Sequence, residues 1–316
     1  MYGKILVVGS SNTDMVIKST KLPLPGETVI GGNFFMNPGG KGANQAVAAA
    51  RLGGQVTFIT KVGNDIFGKQ ALQQFQKETI DNKFIKIDAE YPSGVAIIKV
   101  DGRGENCITV APGSNGRLFP EDIEAALELV ESNTLVLIQL EIPVNTVEHV
   151  IRKSHEKGLK VLLNPAPARV LTSNLFPLLY LITPNESEAE VLTGVRVVDL
   201  ETAKRAACKL QELGVLNIIL TLGAKGAYLH NATYSGLIPA PEVEAIDSTA
   251  AGDCFNGALA VALAENKTMQ EAVAFACRAS AISVTRMGAQ SSIPYRKELE
   301  PVTASSKDEF SADVLL

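Results

Sequence analysis

The chain lacks tryptophan altogether, and only 5% of its 316 residues are aromatic. It has three histidines and four cysteines, Cys107, Cys208, Cys254 and Cys277. No cysteine pair has CxxC spacing and no histidine cluster stands beside one, which excludes the usual zinc frameworks and fits a reduced compartment. An excess of positive charge is also missing: 29 Lys and Arg face 34 Asp and Glu, a net charge of −5. Holding a polyanion by bulk charge needs clustered cations, so no nucleic-acid partner is expected. Small phosphorylated ligands stay open, because local backbone geometry can hold them. Long apolar runs are absent as well. Ile5–Val8, after Met1-Tyr2-Gly3-Lys4, is too short for a signal peptide or a membrane span, so a cytoplasmic protein with no membrane partner is expected. Finally, the first apolar run ends Gly9-Ser10-Ser11-Asn12, without the GxGxxG fingerprint of a nicotinamide-binding dehydrogenase.

What is present suits a globular α/β protein, with 46% hydrophobic and 20% charged residues. Ile5–Gly9 reads as a buried strand followed by a polar turn, Ser10–Asp14. Thr28–Met36 is strand-like until Asn37-Pro38-Gly39-Gly40 breaks it. Ala43–Leu52 is an alanine-rich helix, Val56–Val62 a strand and Phe67–Glu78 an amphipathic helix. Gly94–Val100 and Cys107–Val110 flank a glycine-containing hairpin turn, Asp101–Asn106, and with Thr28–Met36 they suggest a small β group inserted among βα units. From Pro120 the pattern is regular: helices at Pro120–Glu131, Val144–Lys157, Glu186–Thr193 and Leu200–Leu213 alternate with strands at Thr134–Leu140, Lys160–Asn164, Leu181–Thr183 and Asn217–Leu222. Two small-residue helices follow, Asp253–Glu265 and Met269–Arg286. Unalternated aliphatic strands between helices predict an open, mostly parallel sheet covered on both faces, with a small β-sheet as a second layer. Residues 301–316 are polar and aperiodic and read as a disordered tail.

Three segments carry chemistry. In Asp247-Ser248-Thr249-Ala250-Ala251-Gly252-Asp253-Cys254-Phe255-Asn256-Gly257, small residues precede an aspartate at a helix start. Unpaired N–H groups and the helix dipole make such a turn, Ala250–Gly252, an anion hole. Asp253 beside it would orient an attacking hydroxyl and accept its proton, the task left to a protein in loose phosphoryl transfer; taken alone it is as well read as an N-cap. In Gly39-Gly40-Lys41-Gly42-Ala43-Asn44, glycines allow close approach while Lys41 and Asn44 supply donors. Asn12, Asp14 and Glu141 follow strands, where an open α/β sheet presents its ligand crevice. That mixture of acceptors and donors suits a hydroxyl-rich ligand, although each residue singly is as well read as turn or surface. Thr221-Leu222-Gly223-Ala224-Lys225-Gly226 follows another strand, and Asn185 and Glu188 open a helix either as a magnesium-linked pair or as a capping box.

Together these strings resemble the ribokinase (PfkB) carbohydrate kinase family. Both of its signatures are present, Pro38–Gln45 and Asp247–Gly257, and the likeness runs collinearly from about Ile5 to Pro294. The ribose-specific branch is most similar, through Gly-Lys-Gly-Ala-Asn-Gln, Gln139-Leu140-Glu141, Asn164-Pro165-Ala166-Pro167-Ala168 and Thr285–Ser292. The resemblance implies residues 1–300 as one kinase domain, with lid strands inserted at about 15–37 and 92–112. It implies ATP-dependent phosphorylation of D-ribose at O5, with Asp253 as base and Asn12, Asp14, Gly40, Lys41, Gly42, Asn44 and Glu141 holding the sugar. Asn185, Thr221, Gly223, Lys225, Gly226, Gly252 and Cys277 would line the ATP site, and Glu188 would hold magnesium through water. Potassium would sit among Asp247, Thr249, Ser283, Arg286, Gly288 and Ser292, mostly on carbonyls, and the lids would pair two chains into a homodimer. The sequence departs from the family at Cys254, Ser248 and Cys277. Alternatives within reach are a same-fold kinase for another sugar or a nucleoside, and a sugar sensor without catalysis. A sugar phosphate would need more cations than Lys41, and a nucleoside base an aromatic or apolar wall.

Overall fold

The computed structural model describes residues 3–299. In chain order its elements are β1 (Lys4–Val8), β2 (Asn12–Lys18), β3 (Asn33–Gly39), α1 (Lys41–Arg51), β4 (Gln55–Ile59), β5 (Lys61–Gly63), α2 (Ile66–Lys77) and β6 (Lys86–Asp88). There follow β7 (Gly94–Val100), β8 (Asn106–Ala111), α3 (Pro120–Leu129), β9 (Leu135–Ile138), α4 (Val144–Glu156), β10 (Lys160–Leu163), β11 (Leu181–Ile182) and α5 (Glu186–Thr193). The last are α6 (Leu200–Glu212), β12 (Asn217–Thr221), β13 (Ala227–Asn231), β14 (Ser235–Ile238), α7 (Ala251–Ala264) and α8 (Met269–Ser283).

The main sheet has eight strands in the order β14-β13-β12-β11-β10-β9-β1-β4. It is parallel from β4 to β12 and antiparallel at β13 and β14. Its central strands are apolar at nearly every position because both faces are covered. Successive side chains point oppositely, so Ile5, Val7, Leu137 and Leu162 join a core with α1, α7 and α8. Leu6, Val8, Ile138 and Leu163 join another with α3, α4 and α6.

The second sheet, β3-β2-β7-β8, stands apart. Asn12 pairs with both Gly39 and Gly94, and Asp14 with Asn37 and Ala96. On β2 the even residues Asn12, Asp14 and Val16 are buried, facing the main sheet, while Ile17 is exposed. Ile17 shares the outer face with Phe34, Met36 and Ile97, all of them exposed.

Several sequence expectations need correction. Ser10–Asp14 is not a turn throughout: β2 begins at Asn12, because strand partners on both sides take its backbone hydrogen bonds. β3 starts later than expected and runs through Pro38, which an edge strand tolerates since no partner needs its N–H. The expected strand Val56–Val62 divides at Thr60, and its second part leaves the main sheet to pair with β6. The antiparallel hairpin β13–β14 had no forecast. α7 begins two residues before Asp253, and α8 ends at Ser283, short of Arg286. The expected tail lies outside the described residues. Among those described, no helix is long and apolar enough to cross a membrane.

Candidate active site

Ser10, Gln139–Glu141, Asn164 and Thr183–Asn185 follow the C-terminal ends of parallel strands, and Thr221 is the last residue of another, where an open α/β sheet leaves its crevice. The N-termini of α1 and α7 meet there. Ala250, the N-cap of α7, takes a left-handed conformation (φ 59°, ψ 14°) with no side-chain cap, a costly geometry for a residue with a Cβ. The Ala251 N–H turns back to the Ser248 carbonyl at 3.1 Å and Cys254 N–H bonds Ala250 O at 2.8 Å. Between them, Gly252 and Asp253 N–H find no acceptor among the described residues. The expected anion hole at Ala250–Gly252 therefore presents Gly252 and Asp253, not Ala251, as free donors on its helical side.

Asp253 itself is 5% exposed. Asn44 Nδ2 donates to its Oδ2 at 3.0 Å and Gln45 Nε2 to its Oδ1 at 2.9 Å. Burial pushes its pKa up, while Lys41, Asn44 and Gln45 pull it down. The half-buried Lys41 ammonium is held charged chiefly by Asp253, then by Glu141, Glu188 and Asp14, against its own desolvation. None of the described side chains accepts a hydrogen bond from its Nζ, so the charge is free to meet an anion.

The other end of the site is built from strand and loop side chains. Glu141 Oε2 accepts from Ser10 Oγ at 2.6 Å and from the Lys41 N–H at 3.0 Å. Asn12 Oδ1 accepts from Asn115 Nδ2 at 2.7 Å, and Asn115 is pinned in turn to the Ser11 backbone. The Asp14 carboxylate receives no hydrogen bond from the described residues. Its pKa is pushed up to about 7 by burial, then by Glu141 and Asp253, against Lys41. Gly39 lies so close that a Cβ there would sit 2.2 Å from Asp14 Oδ2. Gly40 has φ 87°, and its Cβ would stand 2.7 Å from Asn12 N. Glycine at both positions lets α1 start directly beneath these side chains. Asn44 Oδ1 is buried without a partner and so is available to a ligand hydroxyl.

A cavity of about 210 Å3 joins Lys41, Asn185, Glu188, Thr221, Gly252 and Asp253. A wider depression of about 500 Å3 around Arg51 and Tyr295 lies away from the strand ends, beside an Arg51–Glu78 ion pair. Asn185 and Glu188 do form the capping box that the sequence allowed, yet both still face the cavity. Burial raises the Glu188 pKa. Gly223–Lys225 forms a 3-10 turn closed by Leu222 N–H to Gly226 O at 2.8 Å, and Lys225 is exposed. These residues and Cys277 are not part of the cavity; Cys277 is 4% exposed within the apolar core.

The expected cation segment is also joined. Asp247 Oδ1 accepts from Thr249 N–H and Oγ1, and its Oδ2 from Gly288 N–H at 2.9 Å. The side chains of Ser283, Ser292 and Arg286 turn to Ser280 O, Ala289 O and Glu298. The carbonyls of Asp247, Thr249, Arg286 and Gly288 accept no hydrogen bond among the described residues. A set of free carbonyls in two tethered loops fits a large monovalent cation. The Ser283 carbonyl is already taken by Arg286 N–H.

Sequence reasoning missed Ser10, Asn115, Gln45, Gln139, Asn164, Thr183 and Asn256 as parts of this site. Gln45 and Asn256, inside the two signature strings, and Gln139 and Asn164, inside two further strings that carry the resemblance, had a usable signal; Ser10, Asn115 and Thr183 had none.

A lysine and a buried aspartate at paired helix starts, above a parallel sheet with a β lid, define a phosphotransferase-like site. The chain belongs to the pfkB family of carbohydrate kinases, whose pattern matches residues 3–296. It is 44% identical to a ribokinase of Haemophilus influenzae, over 94% of this chain and 97% of that one. A deoxyribokinase of Salmonella typhi is 38% identical, over 92% and 95%. The Arabidopsis thaliana ribokinase solved with ribose and ATP superposes with a TM-score of 0.88 at 31% identity, covering 95% of this chain and 98% of that one.

Proposed function

We propose that the chain transfers the γ-phosphoryl group of ATP to the O5 hydroxyl of free D-ribose, giving ribose 5-phosphate and ADP. The observation that carries this reading is the convergence, at one cavity, of buried Asp253, the unpaired Lys41 ammonium and the free N–H groups of Gly252 and Asp253. Asp253 orients O5 and accepts its proton as the O5–Pγ bond forms and the bond from Pγ to the ADP oxygen breaks. Charge spread over the transferring oxygens falls on Lys41 and the N–H groups of α7. Asn12, Asp14, Asn44 and Glu141 hold the remaining sugar hydroxyls, and the wall from Asn185 to Thr221 with Gly223–Gly226 faces the nucleotide. Cys277, enclosed in the core, acts there only through the packing of α8. Glu188 would hold magnesium through water, which would supply countercharge for the phosphates, and the free carbonyls of the Asp247–Ser292 loops would hold potassium, which would stiffen the anion-hole turn.

The supporting relatives act on ribose or deoxyribose by name, and a coupled ATPase assay over free sugars separates these. D-ribose is expected to give the highest kcat/KM. A higher value for 2-deoxy-D-ribose, fructose or adenosine would overturn the assignment, since a site built to pair a hydroxyl rejects its absence by up to about 10⁴.

The lid strands also bear on assembly. Ile17, Phe34, Met36 and Ile97 form one exposed apolar face, the kind of patch that marks an interface. A second copy of this lid is the proposed occupant, giving a homodimer in the cytoplasm. Sedimentation velocity should show a dimer that Phe34→Asp converts to a monomer; a wild-type monomer at micromolar concentration would refute it.

A further inference from the structure

We propose that Gln45 is a positioning residue for Asp253, and that a ring of buried amides and hydroxyls running from it through Asn164, Thr183 and Asn256 holds that carboxylate in register with the first turn of α7. The inference rests on the reading of Asp253 as the acceptor of the sugar proton.

Gln45 Nε2 spends both hydrogens: one goes to Asp253 Oδ1 at 2.9 Å, the other to Asn164 Oδ1 at 3.0 Å. Asn164 Nδ2 donates to Thr183 O at 3.3 Å, and Thr183 Oγ1 to Asn256 Oδ1 at 2.6 Å. Asn256 Nδ2 then donates to Gly252 O at 2.8 Å. Gly252 precedes Asp253, so a path leaving the carboxylate returns to its own peptide bond. The ring spans α1, the ends of β10 and β11, and α7. Gln139, beyond β9, braces it by donating Nε2 to Gln45 Oε1 at 2.6 Å. Gln45 and Gln139 are 0% exposed, Thr183 and Asn256 1%.

The direction of every bond follows from this wiring. Were the Gln45 amide reversed, its carbonyl would face both the Asp253 carboxylate and Asn164 Oδ1, and its NH2 would face the NH2 of Gln139. Asp253 is therefore always offered a donor. Burying so many polar groups is costly unless each is paired, and an apolar plug would fill the same volume. The ring makes sense as a device that keeps one enclosed carboxylate both oriented and ionised. Other charges near it pull in different directions: Lys41 on α1 favours ionisation, whereas Glu141 after β9, Asp14 on β2 and Glu188 on α5 are like charges. Gln45 does not line the cavity, so it acts on the site through the two groups it donates to, the Asp253 carboxylate and the Asn164 amide, both of which do.

Gln45→Met keeps length and volume while removing the donors. At pH 7 kcat should fall about 10–100-fold with KM for both substrates changed less than about threefold. The acid limb of the kcat profile should rise by about 1–2 pH units, the size of one lost charge-assisted hydrogen bond, so the deficit shrinks as pH increases. Carbon-13 aspartate NMR of the ligand-free protein should show the Asp253 carboxyl, identified by its loss in Asp253→Asn, titrating higher by the same interval. A pH-independent deficit with the Asp253 titration unmoved would overturn the proposal and leave Gln45 as packing. Should Gln45→Met fail to fold by circular dichroism, Gln139→Met, which removes the donor bracing the Gln45 carbonyl, replaces it; a smaller upward shift supports the ring, and none overturns it. If the wild type phosphorylates no sugar, the kinase reading fails, and the NMR comparison still decides this one.

Discussion

The two ends of the site solve the burial of a carboxylate in opposite ways. At the phosphoryl end, Asp253 is enclosed, and each of its oxygens already receives an amide hydrogen before any ligand arrives. The surrounding donors are largely backbone N–H groups fixed by the strained start of α7. At the sugar end, the Asp14 carboxylate stands on a strand of the separate sheet, receives no hydrogen bond from the described residues, and is driven towards neutrality by burial. The first carboxylate is preorganised for a transition state; the second is left unsatisfied, so that sugar hydroxyls complete it. Preorganisation serves kcat and unsatisfied acceptors serve binding, and substitutions at the two ends should split accordingly.

Asp253→Asn tests that split most severely. The amide keeps the shape but cannot accept a proton, and its NH2 meets a donor from Asn44 or Gln45. A fall in kcat of roughly 10²–10⁴ is expected, with ATP affinity measured by calorimetry nearly unchanged. Turnover near the wild-type rate in a folded variant would reduce Asp253 to a helix cap.

A smaller effect should come from the loops behind the phosphoryl end. Asp247 ties the approach to α7 to Gly288, and a cation on the free carbonyls there would stiffen the turn without touching sugar. Turnover in Tris buffer with excess magnesium should rise about 10–100-fold on adding potassium chloride, a coupling of ordinary size, while ribose KM stays within about threefold. Equal rates in matched choline chloride would remove the cation from the account.

The same contrast marks how far the sequence could be read. The phosphoryl end was legible because backbone sites need small residues next to one another, and Asp247–Gly257 is such a contiguous string. The main-sheet strands were legible for a related reason, since unalternated aliphatics leave few other folds. The sugar end was less so. Asn12, Thr13 and Asp14 have turn composition, and only pairing with β3 and β7, remote in sequence, draws them into a strand. Asn115 and Thr183 had no local signal, and although Gln45, Asn164 and Asn256 all stand in strings that carry the resemblance, nothing local shows that they join one another. β13 and β14 escaped notice because an antiparallel edge hairpin interrupts no pattern in the helices around it.

The mildest test concerns Asp14 alone. Its folded pKa, about 7, lies above the ordinary 3.8. The ligand-free fold therefore holds a proton that the unfolded chain has lost between about pH 4 and 7, and stability falls as pH rises across that interval. Sugar hydroxyls donate best to the ionised carboxylate, so ribose binding favours loss of that proton. KM for ribose should accordingly fall several-fold between pH 6 and 8, following the ionised fraction of a group with pKa near 7. Asp14→Asn should flatten this profile at a raised KM, because the amide cannot titrate and accepts through one oxygen only. It should also raise the Tm of the ligand-free protein at pH 8 by about 2–5 °C, since the penalty for an ionised buried carboxylate is gone. Asp253 titrates in kcat, which keeps the two readouts separate. The same slope of KM against pH in the Asn variant would assign the proton to another group and return Asp14 to an ordinary strand residue.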